Sequence, residues 1–156
     1  MSQFWLMKSE PSTFDMDDLK KCPRSTDAWD GVRNYQARNY IKSMHTGDLA
    51  FFYYSNCKEP GIAGLVEIVS EPYPDKTALM SHSPYYDIKS TQDNPRWYVV
   101  DVKFKQKFKS MISLKTIKAH PEILHLPLIK KGSRLSVMPV NANEWQHLLK
   151  LKERIL

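Results

Sequence analysis

The segment from Trp29 to Asn39 holds the side chains best suited to binding a planar, polar ligand. It reads Trp-Asp-Gly-Val-Arg-Asn-Tyr-Gln-Ala-Arg-Asn, so two aromatics, two arginines, two asparagines and a glutamine lie close together. An aromatic face can stack on a planar group, amides can pair with its edge, and guanidinium can pair with phosphate. Gly31 lets the backbone approach a ligand closely. Because buried polar groups must each find a partner, this segment favours a binding pocket over a core.

Each of these side chains also has an ordinary structural interpretation. Trp29 is either a core tryptophan, since tryptophan is highly buried on average, or a stacking wall at a loop-to-helix junction. Asn34 suits the start of a helix as well as a pocket. Arg33 and Arg38 are either solvated helix charges or ligand contacts, with Arg38 a candidate for the nucleic-acid backbone. Val32 is expected to supply shape and backbone hydrogen bonds.

Polar residues at strand ends and in a long loop are further candidates for the pocket. Lys8 and Ser9 lie at the end of the first predicted strand, where the alternative is an exposed turn. Tyr54 and Ser55 end a later strand and face either the pocket or water. Tyr86 lies in the loop next to Tyr85, and this pair of tyrosines either provides a second aromatic wall or pins the loop to the domain.

Two polar residues interrupt a segment that is otherwise apolar, residues 133–137, which is predicted to be a strand. They are Arg134 and Ser136. An arginine in such a strand needs an anionic partner, which is either a phosphate gripped by two parallel hydrogen bonds or a structural carboxylate. Of these interpretations we favour a place in the pocket for both residues.

A basic stretch lies apart from these candidates. Between Val102 and Ala119 there are six lysines and no acidic residue. Strand alternation places Lys103, Lys105 and Lys107 on one face about 6–7 Å apart, which is close to the phosphate spacing of nucleic acid. The alternative is a solvated sheet face or a guarded edge strand, where lysine is common.

Length and composition predict one soluble domain over residues 1–156. Hydrophobic residues make up 42% and charged residues 26%, which is ordinary for a globular protein. The net charge of +6 and a pI near 9.2 favour a polyanionic partner. We expect no signal peptide and no membrane span. The isolated thiols Cys22 and Cys57 favour a reducing cytoplasm, and a monomer is the expected state.

Hydrophobic periodicity predicts more strands than helices. Strands are expected at residues 3–8, 49–55, 62–69, 97–108 and 133–137. Helices are expected at residues 14–20, 33–44 and 113–119, and from residue 141 onward. Residues 72–96 lack periodicity and form a long loop that can flank a binding site. These elements predict an α+β fold around a small curved sheet or barrel.

Five motifs together resemble the EVE domain family of the PUA-like superfamily, to which YTH and ASCH domains also belong. They are Lys8-Ser9-Glu10-Pro11, the segment 29–39, Phe52-Tyr53-Tyr54-Ser55, Tyr73-Pro74-Asp75 and the segment 134–140. The resemblance spans about residues 3 to 151. It implies a PUA-like pseudo-β-barrel of five to six strands with surrounding helices.

The resemblance also implies a non-catalytic pocket for a modified base, with modified cytosine or adenine the usual suggestions. In YTH domains a tryptophan ahead of a similar helix forms a wall of the methyl-base cage, and Trp29 looks like its counterpart. Lys8 and Ser9 match the pair that lines the pocket floor in the family. The expected partner is therefore DNA or RNA carrying a modified base, without a cofactor.

Catalytic groups are few in this sequence. The five histidines are scattered without metal-ligand spacing, and the two cysteines do not join them, so no metal site is expected. Some ASCH relatives hydrolyse acylated cytidine with a lysine and a glutamate, and Lys8 and Glu10 supply those residue types here. Hydrolysis of modified nucleosides is therefore the alternative to binding, while a plain protein-interaction module would leave the pocket motif unexplained.

Overall fold

Eight strands and four α-helices make up the protein, whose computed structural model describes residues 3–154, without the side chains of residues 153 and 154. The strands are β1 (Phe4–Ser9), β2 (Thr26–Ala28), β3 (Leu49–Tyr54), β4 (Gly61–Ile68), β5 (Tyr73–Pro74), β6 (Tyr98–Val99), β7 (Asp101–Ser113) and β8 (Val137–Pro139). The helices are α1 (Met16–Lys21), α2 (Tyr35–Lys42), α3 (Leu114–Ala119) and α4 (Ala142–Arg154).

Six of the strands form one mixed sheet in the order β2-β7-β4-β3-β1-β8, and β5 pairs separately with β6. β1 and β3 run parallel, while the other neighbours are antiparallel. The register shifts between Phe52 and Tyr53 and between Leu65 and Val66. Such irregularities increase local twist. The sheet curls into a half-barrel, which confirms the predicted α+β class and the PUA-like pseudo-barrel.

Aromatic side chains join α4 to the sheet. Trp145 stacks on Phe51 of β3 with ring centroids 3.9 Å apart, and on Phe4 of β1 at 4.5 Å. Such pairs contribute about 0.5–1.5 kcal/mol each beyond the area they bury. The buried carboxylate of Asp48 accepts a hydrogen bond of 3.0 Å from Trp5 Nε1 and bonds from two backbone N–H groups. Three hydrogen bonds thus offset the cost of burying this charge.

Capping side chains define where the helices begin. Asp15 and Asp18 form a reciprocal capping box at α1. Asn34 caps α2, since its Oδ1 accepts from Ala37 N at 2.9 Å. Asn141 Oδ1 accepts from Glu144 N at 2.8 Å, which confirms the predicted start of α4. Within residues 3–154, each helix is too short or too polar to cross a membrane.

The strand predictions were wrong in four places. The strand predicted at residues 97–108 is two strands, β6 and β7, and β7 continues to residue 113. The strand predicted at residues 133–137 begins only at Val137, because a turn with Gly132 at φ 77° precedes it. Arg134 and Ser136 therefore lie before β8 and not within it. β2 was missed because its three residues are partly exposed and carry no apolar alternation. β5, inside the predicted loop of residues 72–96, was missed because two residues are too few to show alternation.

Candidate functional site

A cavity of about 600 Å³ opens where the end of β1 meets the segment that leads into α2. This volume is within the range of small-molecule sites in proteins. Eight of the twelve pocket residues predicted from the sequence line it. They are Lys8, Ser9, Trp29, Gly31, Val32, Arg33, Asn34 and Ser136. The structure therefore brings together residues from β1, from the segment before α2 and from the segment before β8.

Trp29 is both a core residue and a wall of this cavity. Its side chain is only 8% exposed, and its ring meets Phe52 edge-on with centroids 5.3 Å apart at 82°. Phe52 in turn packs on Phe14, which also lines the cavity. The Trp29 backbone N–H donates to the Val100 carbonyl at 2.9 Å. Trp29 is thus packed in the core and also lines the cavity, while stacking of a ligand on its ring stays a prediction.

Tyr85 lies directly against the backbone of Gly31. Gly31 has φ +82°, and a Cβ atom built on it would lie 2.6 Å from Tyr85 Cζ. Glycine is therefore required here twice, for its backbone conformation and for the absence of a side chain. Tyr85 lines the cavity, whereas its neighbour Tyr86 lies outside the lining and is 44% exposed. The aromatic wall predicted in this loop is thus formed by Tyr85.

Arg33 ties the long loop to the cavity. Its guanidinium donates two hydrogen bonds to the Tyr85 carbonyl, one to the Val32 carbonyl, one to Asp75 and one to Thr77 Oγ1. All five of its N–H donors are engaged within the protein. Neither sequence interpretation of Arg33 anticipated this, because the side chain is neither solvated nor available to a phosphate.

Two aromatic rings enclose the same guanidinium. Arg33 Cζ lies 5.6 Å from the ring centroid of Tyr85 and 5.3 Å from that of Trp97. Trp97 Nε1 donates to Asp87 Oδ2 at 2.7 Å and so fixes its own orientation. We call Arg33, Asp75, Tyr85 and Trp97 the clamp, because these four residues hold the loop of residues 72–97 against the cavity.

Asp75 is the buried anion of the clamp, at 3% exposure. Burial alone would raise its pKa, but hydrogen bonds from Thr77, the Gly31 N–H and Arg33 outweigh it and hold the pKa below its usual value. A folded-state pKa below the unfolded one stabilises the fold above the unfolded pKa. That contribution is lost as the pH falls through the folded pKa. The clamp is therefore intact at neutral pH and weakens only in acid.

Lys8 and Asp30 bring charge to the cavity wall. Burial lowers the pKa of the Lys8 ammonium. Burial also raises the pKa of the Asp30 carboxyl, together with repulsion from Asp75 and Asp27. Asn34 adds an amide whose Oδ1 caps α2, which leaves its Nδ2 group unused by the cap. The wall thus offers hydrogen-bond donors and an acceptor beside aromatic rings.

The structure leaves four predicted pocket residues outside the cavity lining. Tyr54 accepts a hydrogen bond from the Met16 N–H through its hydroxyl, at 3.0 Å. The Ser55 backbone N–H donates to the Ser9 carbonyl at 3.0 Å. Arg134, like Tyr86, is exposed at the surface. The lining also contains residues that were not among the predicted pocket residues: Glu10, Thr13, Phe14, Asp27, Ala28, Asp30 and Tyr85. Glu10 was selected only for the hydrolase alternative, and Ala28, Asp30 and Tyr85 adjoin selected residues, whereas Thr13, Phe14 and Asp27 carry no distinguishing signal.

We call Lys103, Lys105 and Lys107 of β7 the lysine face, although the register shift between Leu65 and Val66 interrupts at Lys105 the alternation that was predicted to place all three on one side. All three are exposed. Lys105 pairs with Glu67 and Lys107 pairs with Asp17, each at 2.9 Å. Exposed ion pairs of this kind contribute little to stability. Carboxylates therefore neutralise two of the three charges predicted to meet a phosphate backbone, and a phosphate would have to displace them.

Arg38, the fourth predicted backbone contact, lies beside an exposed aromatic residue. Its guanidinium carbon is 4.9 Å from the ring centroid of Tyr35, and its Nη1 donates to the Arg96 carbonyl at 3.0 Å. Tyr35 is 50% exposed and stacks on Trp97 with centroids 4.8 Å apart. Tyr35 and Arg38 thus form an aromatic and cationic pair that adjoins the clamp through Trp97.

Comparison with known proteins gives close relatives over the whole described chain. The family model of the EVE domain matches residues 3–151. Human thymocyte nuclear protein 1 is 44% identical over 170 residues, covering 99% of this chain and 76% of that protein. A crystal structure of human THYN1 in complex with DNA containing 5-methylcytosine has a TM-score of 0.93 at 44% identity, covering 97% of this chain and 98% of that one.

Two further solved structures extend this comparison. A protein from Pseudomonas syringae is 48% identical, with a TM-score of 0.92 and coverage of 96% of this chain and 99% of that one. A YTH domain from Zygosaccharomyces rouxii is 15% identical, with a TM-score of 0.52 over 97% of this chain and 87% of that one. At that identity the YTH likeness concerns the fold alone.

Proposed function

The chain belongs to the EVE domain family, and we propose that it binds nucleic acid by holding one modified base in the cavity beside Trp29. The observation that carries the proposal is a ligand-sized cavity walled by Trp29 and Tyr85 and held in shape by the clamp. A human relative was solved with DNA containing 5-methylcytosine, which makes that base in DNA the first ligand to test. Modified adenine and RNA are the comparison ligands.

A base inside a duplex cannot reach such a cavity, so we propose that it enters extruded from the stack. Extrusion costs a few kcal/mol, which stacking and edge contacts within the protein must offset. Trp29 supplies an aromatic surface whose orientation Phe52 fixes. Base–aromatic stacking contributes about 1–3 kcal/mol. A preformed wall lowers the cost of ordering the site on binding.

Polar groups of the wall can read the edge of the base. A carboxylate is the usual acceptor for the exocyclic amino group of cytosine, and Asp30 is the lining carboxylate nearest in sequence to Trp29. Lys8 and the Asn34 Nδ2 group are donors suited to the ring nitrogen and carbonyl of the same base. We propose that these three side chains read the base, with Ser9 and Ser136 completing the polar wall.

Nucleotides on either side of the extruded base need their own contacts. Tyr35 is half exposed, stacked on Trp97 and covered by the Arg38 guanidinium, so a neighbouring base can stack on this guanidinium or displace it. Arg38 beside it and the lysine face are cationic and can meet backbone phosphates. We propose that these groups contribute affinity without distinguishing one base from another.

A titration of matched oligonucleotides tests the proposal. Short DNA hairpins with one 5-methylcytosine, one cytosine or one N6-methyladenine are compared by fluorescence anisotropy at fixed salt, together with RNA of the same sequences. Asp30→Asn should weaken binding of the 5-methylcytosine hairpin about tenfold, whereas the exposed Asp93→Asn should leave it unchanged. Equal affinity of the unmodified and all modified hairpins would contradict the proposal.

The hydrolase alternative rests on Lys8 and Glu10, which both line the cavity. Glu10 is exposed and accepts a hydrogen bond from Asn56 Nδ2 at 3.0 Å, an environment typical of surface carboxylates. We therefore propose that the protein binds its ligand and does not turn it over. Steady conversion of N4-acetylcytidine by the purified protein, abolished in Lys8→Ala, would make hydrolysis the better account.

The cellular compartment is a further part of the proposal. Cys22 and Cys57 are both free thiols. Free thiols suit a reducing compartment, which the cytoplasm and the nucleus share. The mammalian relatives carry the word nuclear in their names. We propose a reducing compartment that contains nucleic acid, of which the cytoplasm predicted from the sequence is one.

A further inference from the structure

Three side chains on the α3–α4 side of the protein converge on one point. His120 Nδ1 lies 3.1 Å from Glu122 Oε2, and His147 Nδ1 lies 3.3 Å from the same oxygen. His120 ends α3, Glu122 lies in the loop that follows it, and His147 is on α4. The sequence showed no metal-ligand spacing among its histidines, because His147 is distant in the chain from the other two residues and only the fold brings it next to them.

The distances between these atoms match those around a small divalent cation. A tetrahedral zinc site with bonds of about 2.0 Å places its ligand atoms about 3.3 Å apart. The two distances to Glu122 Oε2 are close to that value, and all three atoms lie within 4.8 Å of one another.

The hydrogen bonding at His120 favours a cation at this point. The Glu122 backbone N–H donates to His120 Nδ1 at 3.3 Å, which requires a lone pair on that nitrogen. The same lone pair then lies 3.1 Å from a carboxylate oxygen, and two acceptors at that distance repel each other. A bound cation would take this lone pair from the Glu122 N–H, at the loss of that 3.3 Å hydrogen bond, and would turn the repulsion between the two acceptors into two bonds to the ion.

Burial and ligand chemistry limit what the cation is. The side chains of His120 and His147 are 12% and 24% exposed, while that of Glu122 is 52% exposed. The histidines are thus held by their surroundings, and the open side gives access to water as a fourth ligand. Two imidazoles and a carboxylate suit zinc and its neighbours, whereas magnesium and calcium prefer oxygen ligands alone.

We propose that His120, Glu122 and His147 bind one divalent transition-metal ion of the zinc class, with water at the fourth position. The ion would join the loop after α3 to α4. Because the cation would bind the folded state and not the unfolded chain, it would stabilise the fold. The site is formed by residues other than those lining the cavity, so it does not depend on the proposed nucleic-acid binding.

Metal titration of the tag-free full chain tests this site. After dialysis against a chelator, Zn²⁺ is added in competition with a chromophoric chelator, and thermal unfolding is followed in parallel. One equivalent should bind, and the melting temperature should rise by about 5–10 °C when free Zn²⁺ is near a hundred times Kd. Co²⁺ in its place should give the visible absorption bands of a low-symmetry site.

Substitution of the ligands supplies the controls. His120→Gln and His147→Gln should each weaken Zn²⁺ binding at least tenfold and abolish the rise in melting temperature. His125→Gln, at an exposed histidine of the same loop, should change neither quantity. Equal binding by all three variants would overturn the proposal. So would the absence of stoichiometric binding in the parent protein, which would make the cluster a proton-linked ion pair only.

Discussion

The clamp and the lysine face use the same kind of ion pair in opposite ways. In the clamp, Arg33 and the 3%-exposed Asp75 are 3.0 Å apart, with aromatic rings on the guanidinium. On the lysine face, Lys105 and Glu67 are 2.9 Å apart, but their side chains are 52% and 30% exposed. The two ion pairs have nearly equal lengths. They therefore differ in how firmly they are held because of their burial and the hydrogen bonds around them, and not because of distance.

This difference suits the two tasks of the proposed binding. A cavity that distinguishes one base from another needs a wall that does not move, and the clamp holds the wall of this cavity through a buried carboxylate and its hydrogen bonds. Contact with a phosphate backbone needs charge that can change partner, and exposed ion pairs allow it. Under the proposed function, the buried pair fixes the shape of the cavity, while the exposed pairs leave the outer contacts adaptable.

Breaking the clamp should have the largest effect. Arg33→Met removes five hydrogen bonds and leaves Asp75 as a buried charge without its cation, so we expect a loss of about 3–5 kcal/mol in the free energy of unfolding. Lys105→Met removes an exposed pair and should cost less than about 1 kcal/mol. Urea unfolding of both variants gives the comparison, and similar losses would contradict the distinction between the two regions.

Adding a side chain between Gly31 and the Tyr85 ring should have an intermediate effect on stability. Gly31→Ala adds a methyl group against the Tyr85 ring at a residue with φ +82°, and should cost about 1–3 kcal/mol of stability. Gly47→Ala is the matched control, since Gly47 has φ +97° and no atom within 4 Å of its added Cβ. Urea unfolding gives the loss of stability for both variants. The amount by which the loss for Gly31→Ala exceeds that for Gly47→Ala is the cost of the contact between the added methyl group and Tyr85. An equal cost at both positions would assign the effect to backbone strain alone.

Neutralising the lysine face should have the smallest effect on stability and an equal effect on all ligands. If Lys103, Lys105 and Lys107 meet phosphates, the triple Lys→Gln variant should bind modified and unmodified DNA with the same loss. The slope of log K against log salt should fall by about 0.7–0.9 for each contact removed. A loss confined to the modified ligand, or an unchanged slope, would place the phosphate contacts elsewhere.

The sequence predicted the elements that repeat a pattern and missed those that depend on distant neighbours. The long apolar runs of β3 and β4 and the capped starts of α2 and α4 were predictable, because each carries its signal within a few residues. Tyr85 and Tyr86 are adjacent tyrosines with the same local signal. Only the close approach of Gly31, distant in the chain, determines which of them lines the cavity.

The role of Arg33 shows the same limit more sharply. Its place in a polar motif predicted a ligand contact, yet Asp75, Thr77 and the Tyr85 carbonyl engage it from beyond forty positions away. Arg134 was assigned to a strand that starts three residues later, since polar residues alternate with Leu135 and Val137 as in a strand, although only the residues from Val137 to Pro139 pair with β1. Composition and spacing thus located the cavity, but long-range hydrogen bonds decided which side chains face it.

The most direct test of the account is the preference for a modified base with and without the Trp29 ring. Affinities of hairpins with one 5-methylcytosine or one cytosine are measured for the parent protein and for Trp29→Ala, with circular dichroism to confirm folding. We expect Trp29→Ala to lose about 1–3 kcal/mol for the modified hairpin and to bind the unmodified hairpin as the parent does. An unchanged preference in folded Trp29→Ala would contradict the account, because the base would then be read outside this cavity.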